Sequence, residues 1–305
     1  MKKGLTFLAA LVLMMCVFAS AGAEEYAVKV SAPAGAPALA LATLAVQDPD
    51  SYTFVAADTI AAEFAAGEAD LIVAPLNAGA KLFRAGKSTY RLAAVVSWGN
   101  LFIASQRPDF QLKDINEAGI TLFGEETINA SIVNYVLAQN GITPAKVEYL
   151  AGAANTQSLL LSDPEAIVVT AEPALTAAKM KTDQITSYAV NDLYQAAAGY
   201  AGYAQAALFV REETIREHAE AVVAFLTQVQ ESCAKCESDV NAVAEAAVAL
   251  EILPNQKVAL AAIPNCAIRY VAAMEAKEQV EATALVDLSQ FGGALPAEEF
   301  YYAAP

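Results

Sequence analysis

The stretch Gly67–Phe83, GEADLIVAPLNAGAKLF, decides the fold. Leu71, Ile72, Val73 and Ala74 form an apolar run between Asp70 and Pro75. Such a run reads as a strand covered on both faces, as in a parallel sheet. Pro75 has no N–H for the ladder and ends it. Asn77 is then placed to cap a helix over Ala78–Phe83. A strand, a tight turn and a helix N-terminus put free N–H groups at the carboxyl end of a sheet. Small ligands bind there in open α/β folds. Taken alone, the stretch is equally one ordinary βα unit among several.

The same unit recurs on both sides. Tyr26–Val30 reads as a first strand, followed by a loop with Pro33, Gly35 and Pro37, and a helix over Ala38–Gln47. Tyr52–Val55 is another strand, and Thr59–Ala66 a helix stopped by Gly67. Arg91–Ser105 is strand-prone, with a break at Trp98, Gly99 and Asn100. From about 108 to 198 the βα alternation starts again, with strands near Gly119–Phe123, Val147–Leu150, Glu165–Thr170 and Thr186–Val190. Gln205–Arg211 leads back out as a strand, and the remainder reads mainly helical, beginning with one helix over Glu213–Ser232. The expected fold class is α/β with two lobes, each a mostly parallel sheet flanked by helices, joined by two hinge crossings. The expected division is 1–23 leader, 24–101 with 206–305 as the first lobe, and 102–205 as the second.

Residues 1–23 read as an export signal. Lys2 and Lys3 start it, Leu5–Phe18 is its apolar run, and Ala21-Gly-Ala23 supplies the cleavage pattern. The run is short of the roughly 20 residues that span a bilayer. The expected location is the periplasm or another extracytoplasmic face. Lipidation at Cys16 is the alternative, although Leu13, Met14 and Met15 do not offer the small residue a lipobox wants. Removing the leader takes the formal charge from −16 to −18. So acidic a chain is a poor partner for nucleic acid or anionic lipid.

Cys233, Cys236 and Cys266 remain after the leader. Cys233-Ala-Lys-Cys236 has the C-x-x-C form, but it lies in a helical pattern and has no second pair to complete a zinc set. Export permits a disulfide to Cys266, with Cys236 the preferred partner; otherwise the thiols are free. The single histidine, His218, lies on an amphipathic helix as a solvated residue, and no Gly-x-Ser-x-Gly elbow is present. No enzyme, cofactor or metal site is expected.

The arrangement resembles the solute-binding proteins of ABC importers, in the type II periplasmic-binding-protein class. It is most similar to the SsuA/THI5-like (NMT1-like) group. The resemblance is carried by Ala32-Pro-Ala-Gly-Ala-Pro37, by Gly67–Pro75 with Asn77, and by Ser97-Trp-Gly-Asn-Leu101. It continues in Glu172-Pro173, Ile263-Pro-Asn-Cys266 and Glu299-Phe-Tyr-Tyr302. It implies a monomeric exported receptor that captures a small organic solute between its lobes and delivers it to the permease. The alternatives are a pyrimidine-precursor synthase-like enzyme on the same fold, or the ligand-sensing subunit of a signalling receptor.

The expected ligand contacts are Gly35, Ala36 and Pro37 after the first strand, and Pro75, Leu76 and Asn77 after the third. Trp98 and Asn100 lie at the first crossing, Trp98 either as an aromatic floor or packed on the linker. Glu172 serves a ligand donor or caps the next helix, Asn77 caps or binds, and Tyr203, with Tyr200, borders the second crossing. The turn Gly124-Glu-Glu-Thr127 departs from the glycine-rich turn the resemblance implies. There Glu125 and Thr127 either cap the helix or face the cleft, and a cleft-facing Glu125 would favour a neutral or cationic ligand.

Overall fold

The computed structural model describes residues 26–305. The leader over 1–23 and the alternative at Cys16 lie outside the described residues.

Among the described residues eleven strands form two sheets. They are β1 (Val30–Pro33), β2 (Tyr52–Val55), β3 (Leu71–Pro75), β4 (Tyr90–Ser97), β5 (Leu101–Ser105), β6 (Ile120–Phe123), β7 (Val147–Leu150), β8 (Ile167–Ala171), β9 (Thr186–Ala189), β10 (Ala206–Arg211) and β11 (Ile268–Ala272). The first sheet has the order β11-β4-β10-β3-β1-β2, the second β7-β6-β8-β5-β9. In the first sheet β1 to β4 share one direction, while β10 and β11 run against them. In the second, only β5 is reversed. The reversed strands β5 and β10 are the ones that carry the chain out to the second sheet and back.

The chain crosses between the sheets at 98–100 and at 199–205. The break expected at Trp98, Gly99 and Asn100 is therefore present. The crossings lie against each other. Gly202, at φ 111°, sits where an added Cβ would be 2.4 Å from the Trp98 carbonyl oxygen.

Strand β3 is covered on both faces. Leu71 and Val73 belong to a cluster with Val30, Val96, Leu208, Phe225 and Val243 behind the first sheet. Ile72 and Ala74 belong to a second cluster, which continues through Val95 and Phe209 to Leu122, Val133 and Val169 of the other sheet. This alternation is the period-two consequence of a buried strand. A third, smaller cluster, with Ala104, Leu160, Val168 and Leu175, lies behind the second sheet.

Several elements differ from expectation. The first strand begins at Val30 and takes in Ser31–Pro33, because these residues pair in parallel with Tyr52–Val55. The helix expected over Ala38–Gln47 is a 3-10 turn, Ala36–Ala40, followed by one α-turn, Ala42–Ala45. The helix over Glu213–Ser232 is two helices, Glu212–Glu217 and Ala219–Ser238, broken at His218, whose φ and ψ are −135° and 42°. His218 is not merely solvated: its ring stacks on Tyr26 at 3.5 Å between centroids. Strand β11 and the helix Val190–Ala198 were not foreseen. The disulfide is absent. Cys233, Cys236 and Cys266 are buried free thiols, and Cys266 Sγ donates to the Ala262 carbonyl at 3.3 Å. Among the described residues no helix is long and apolar enough to cross a membrane.

Candidate functional site

The crossings, the ends of β1 and β3, and the start of helix Ile128–Gln139 meet around a cavity of about 160 Å3. Its apolar wall is Pro33, Ala34, Ala36, Pro37, Ala57, Pro75, Ile128 and Ala206. Its polar wall is three carboxamides, Asn100, Asn129 and Gln205, and among the described residues no charged side chain lines it. A mainly apolar pocket with a few convergent polar groups is the usual form of a small-molecule site.

Each polar residue arrives by a separate route. Asn100 stands at the start of β5, where Leu101 pairs with Ala171, so its side chain meets the end of β8. Asn100 Nδ2 donates to the Glu172 carbonyl at 3.1 Å, and Glu172 N–H donates back to the Asn100 carbonyl. Gln205 ends the second crossing, and its carbonyl accepts the Leu76 N–H at 3.0 Å. Gln205 Nε2 donates to Asn100 Oδ1 at 3.0 Å and to Asn129 Oδ1 at 3.2 Å. Its Oε1 accepts from Ser97 Oγ at 3.1 Å. Asn129 is in the first turn of its helix, where N–H groups lack intrahelical acceptors and the helix dipole is positive. Thr127 caps that helix, taking the Ala130 N–H on its Oγ1 at 3.4 Å.

Of the residues expected at the site, Ala36, Pro37, Pro75 and Asn100 line this cavity, and Gly35 lies beside Ala36. The others are elsewhere. Pro75, with an extended ψ of 130°, is itself the N-cap of helix Leu76–Arg84, so Asn77 is inside the helix and does not cap it. Its Nδ2 reaches Gln290 at 3.4 Å, and Leu76 is fully buried behind it. Trp98 is 2 % exposed and donates its Nε1–H to the Arg269 carbonyl at 2.9 Å, so it packs on the linker and is no open floor. The Arg269 guanidinium covers its ring at 4.7 Å. Glu172 is 4 % exposed and committed to the next helix: Oε2 accepts the Thr176 N–H and Oε1 the Thr176 hydroxyl. Burial pushes its carboxyl above the usual range, against the pull of the two Thr176 bonds. Tyr203 is wholly buried, its hydroxyl 3.5 Å from Asn129 Oδ1, and Tyr200 bonds Glu278. Glu125 is exposed and does not line the cavity, which leaves Thr127 as the working cap.

Asn129 and Gln205 were not singled out from sequence. The one available signal for Gln205 was its place as the last polar residue before the apolar run of β10.

A larger groove, about 530 Å3, lies at the outer edge of the first sheet beside Tyr52, Phe225 and Glu231. Its walls include the edge strand β2 and no residue of the crossings, so movement between the sheets does not enclose it. The cavity at the crossings is the functional candidate.

Comparison with known proteins agrees with this geometry. An ABC transporter protein of Parabacteroides distasonis superposes with a TM-score of 0.77 at 22% identity, covering 91% of this chain and 99% of that one. The aliphatic sulphonate-binding protein SsuA of Escherichia coli gives 0.70 at 14%, covering 91% and 92%. A Candida albicans protein described as having the generic periplasmic binding protein fold gives 0.54 at 10%, covering 90% and 93%. The chain has the periplasmic-binding-protein fold. Residues 101–239 match the family model NMT1/THI5 like, and this NMT1/THI5-like segment contains β5 to β10, Asn129 and Gln205. The sequence matches none of the curated proteins.

Proposed function

We propose that the protein is the extracytoplasmic solute-binding component of an ABC-type importer. Residues 24–101 with 206–305 act as one lobe and 102–205 as the other. The reading rests on one observation above all. The cavity takes its walls from the ends of β1, β3 and β10 and from the start of helix Ile128–Gln139, which packs on the second sheet, and its polar groups from both crossings and that helix, so a solute there touches parts on both sides of the crossings. Closure is then a population shift, driven by the solute's greater affinity for the closed form. The closed receptor presents both lobes to a membrane permease. The matched NMT1/THI5-like segment and the ABC transporter, ABC-type import and sulphonate-binding proteins among the structural neighbours support the same reading. The protein acts as a monomer outside the cytoplasm and performs no covalent chemistry.

A thermal-shift screen over sulfonates, carboxylates, amines and pyrimidines tests this. A solute at one hundred times its Kd raises apparent stability by about 2.7 kcal/mol. The expected result is one solute class that raises Tm and reduces the radius of gyration in solution scattering. Chemical turnover of that solute, or stabilisation with no compaction, overturns the reading.

A further inference from the structure

Acidic residues outnumber basic ones in this chain by 34 to 18, yet Leu71 to Pro108 carries Lys81, Arg84, Lys87, Arg91 and Arg107 and no acid at all. Arg91 and Arg107 are paired, with Glu212 and Glu165. Lys81 and Arg84 stand in the last turn of helix Leu76–Arg84, and Lys87 follows it. Cations suit the negative end of a helix dipole, but the dipole gives them no counter-ion. Among the described residues these three form no ion pair.

Beside them lies a cavity of about 390 Å3, between Ala80, Phe83 and Arg84 of that helix and Pro296, Ala297 and Phe300 of the closing segment. Its floor is aromatic: the rings of Phe83 and Phe300 are 5.4 Å apart at 57°. Arg84 is the one polar side chain in its lining. The closing segment holds the stem of Arg84 in place. An added Cβ on Gly292 would be 3.0 Å from Arg84 Cδ, and Nη1 donates to the Leu295 carbonyl at 3.4 Å. That one long bond leaves most of the five N–H donors of the guanidinium unused. Of the two glutamates on the same segment, Glu298 is taken by Lys277, and neither lines the cavity.

We propose that this cavity is a second ligand site, away from the crossings, for a small amphipathic carboxylate. An aryl or alkyl body packs on Phe83, Pro296 and Phe300, and the carboxylate meets the fork of Arg84, whose geometry matches it. Lys81 and Lys87 add a local positive field to a protein that otherwise repels anions. A free small acid fits because the volume is that of a small-molecule pocket and the walls are only six residues. The site neither uses nor requires the solute-binding reading above.

The test measures calorimetric binding of 3-phenylpropionate, its neutral amide and acetate. The wild type is expected to bind the acid about fivefold more tightly than the amide, the upper end for an ion pair that water reaches. Acetate, lacking the body, binds too weakly to detect. In 1 M salt, where the screening length is about 3 Å, the acid loses its advantage. Arg84→Gln makes acid and amide equal, and Ala297→Trp, at an exposed position on the wall, abolishes binding of both. The salt series reads the ion pair even should Arg84→Gln fail to fold.

An amide that binds the wild type as well as the acid, an advantage for the acid that persists in 1 M salt or in Arg84→Gln, or no binding of the acid at all overturns the proposal. So does binding that survives Ala297→Trp. Binding that survives Ala297→Trp and is lost in Ala57→Trp belongs to the cavity at the crossings, and leaves the solute-binding reading standing.

Discussion

Ser131 Oγ donates to Asp287 Oδ2 at 2.7 Å, joining helix Ile128–Gln139 of the second sheet to the turn after helix Ala273–Val286. Ser131 is one turn or less from Ile128 and Asn129, which line the cavity. The same helix end therefore faces a solute and is fastened across the molecule. Asp287 also accepts from Ser289, and that bond, more than the one from Ser131, holds its carboxyl below the usual carboxylate range.

A folded-state pKa below the unfolded one contributes stability above the unfolded value, about 3.9 for an aspartate. That contribution is lost as pH falls through the folded value. Asp287→Asn should therefore lower Tm at pH 7, and the gap to wild type should close as pH drops below about 4. A gap that persists under acid conditions contradicts this assignment. In Ser131→Ala, solute affinity should fall modestly with the cavity wall unchanged.

Glu172 predicts the opposite sign. Its folded pKa is raised by burial, so stability is complete below the unfolded value, about 4.3, and is lost as pH rises through the folded one. Glutamine keeps an oxygen for the Thr176 N–H and carries no charge to desolvate. The Tm of Glu172→Gln relative to wild type should increase between pH 4 and pH 7, as a pH series of thermal melts would show.

Gly202 carries the contact between the two crossings. Its φ of 111° and the Trp98 carbonyl 2.4 Å from an added Cβ exclude a side chain. Gly202→Ala should cost about 1–3 kcal/mol in denaturant unfolding, as overpacking and strained backbone do.

The thiols should be silent in the native protein. Burial pushes Cys236 up to about 12 and holds Cys233 and Cys266 above their ordinary values as well. Little thiolate is present near neutral pH, and solvent does not reach the sulfurs. Protein lacking residues 1–23 should show no fast reaction with a thiol reagent when folded, and three reactive groups in denaturant. A single reactive thiol after denaturation would indicate that a disulfide had formed.

Much of this was legible where local pattern and final environment agree. The apolar run of β3 and the stop at Gly67, left-handed at φ 66°, needed no partner to be recognised. The break at 98–100 was visible because Gly99 and Asn100 interrupt an apolar run. What escaped depends on register between distant strands. Asn100 meets Glu172 only because β5 and β8 pair antiparallel, and Gln205 meets Asn100 only because both crossings run together. Asn77 had the form of a cap, yet the extended backbone of Pro75 had already started the helix. Strand β11 escaped because Arg269 interrupts the short run Ile268-Arg-Tyr-Val-Ala272 and its register on β4 shifts.

The centre of the first sheet also has a consequence in time. Strand β10 lies between β3 and β4, although more than a hundred residues separate it from β4 along the chain. A chain made from its N-terminus thus has β4 cut off from β1, β2 and β3 until β10, ending at residue 211, is available. Long-range pairing of this kind is slow to form, because a large loop must close first. Strands β1, β2 and β3 can pair as they appear, but the first sheet closes over β4 only when the last third of the chain arrives.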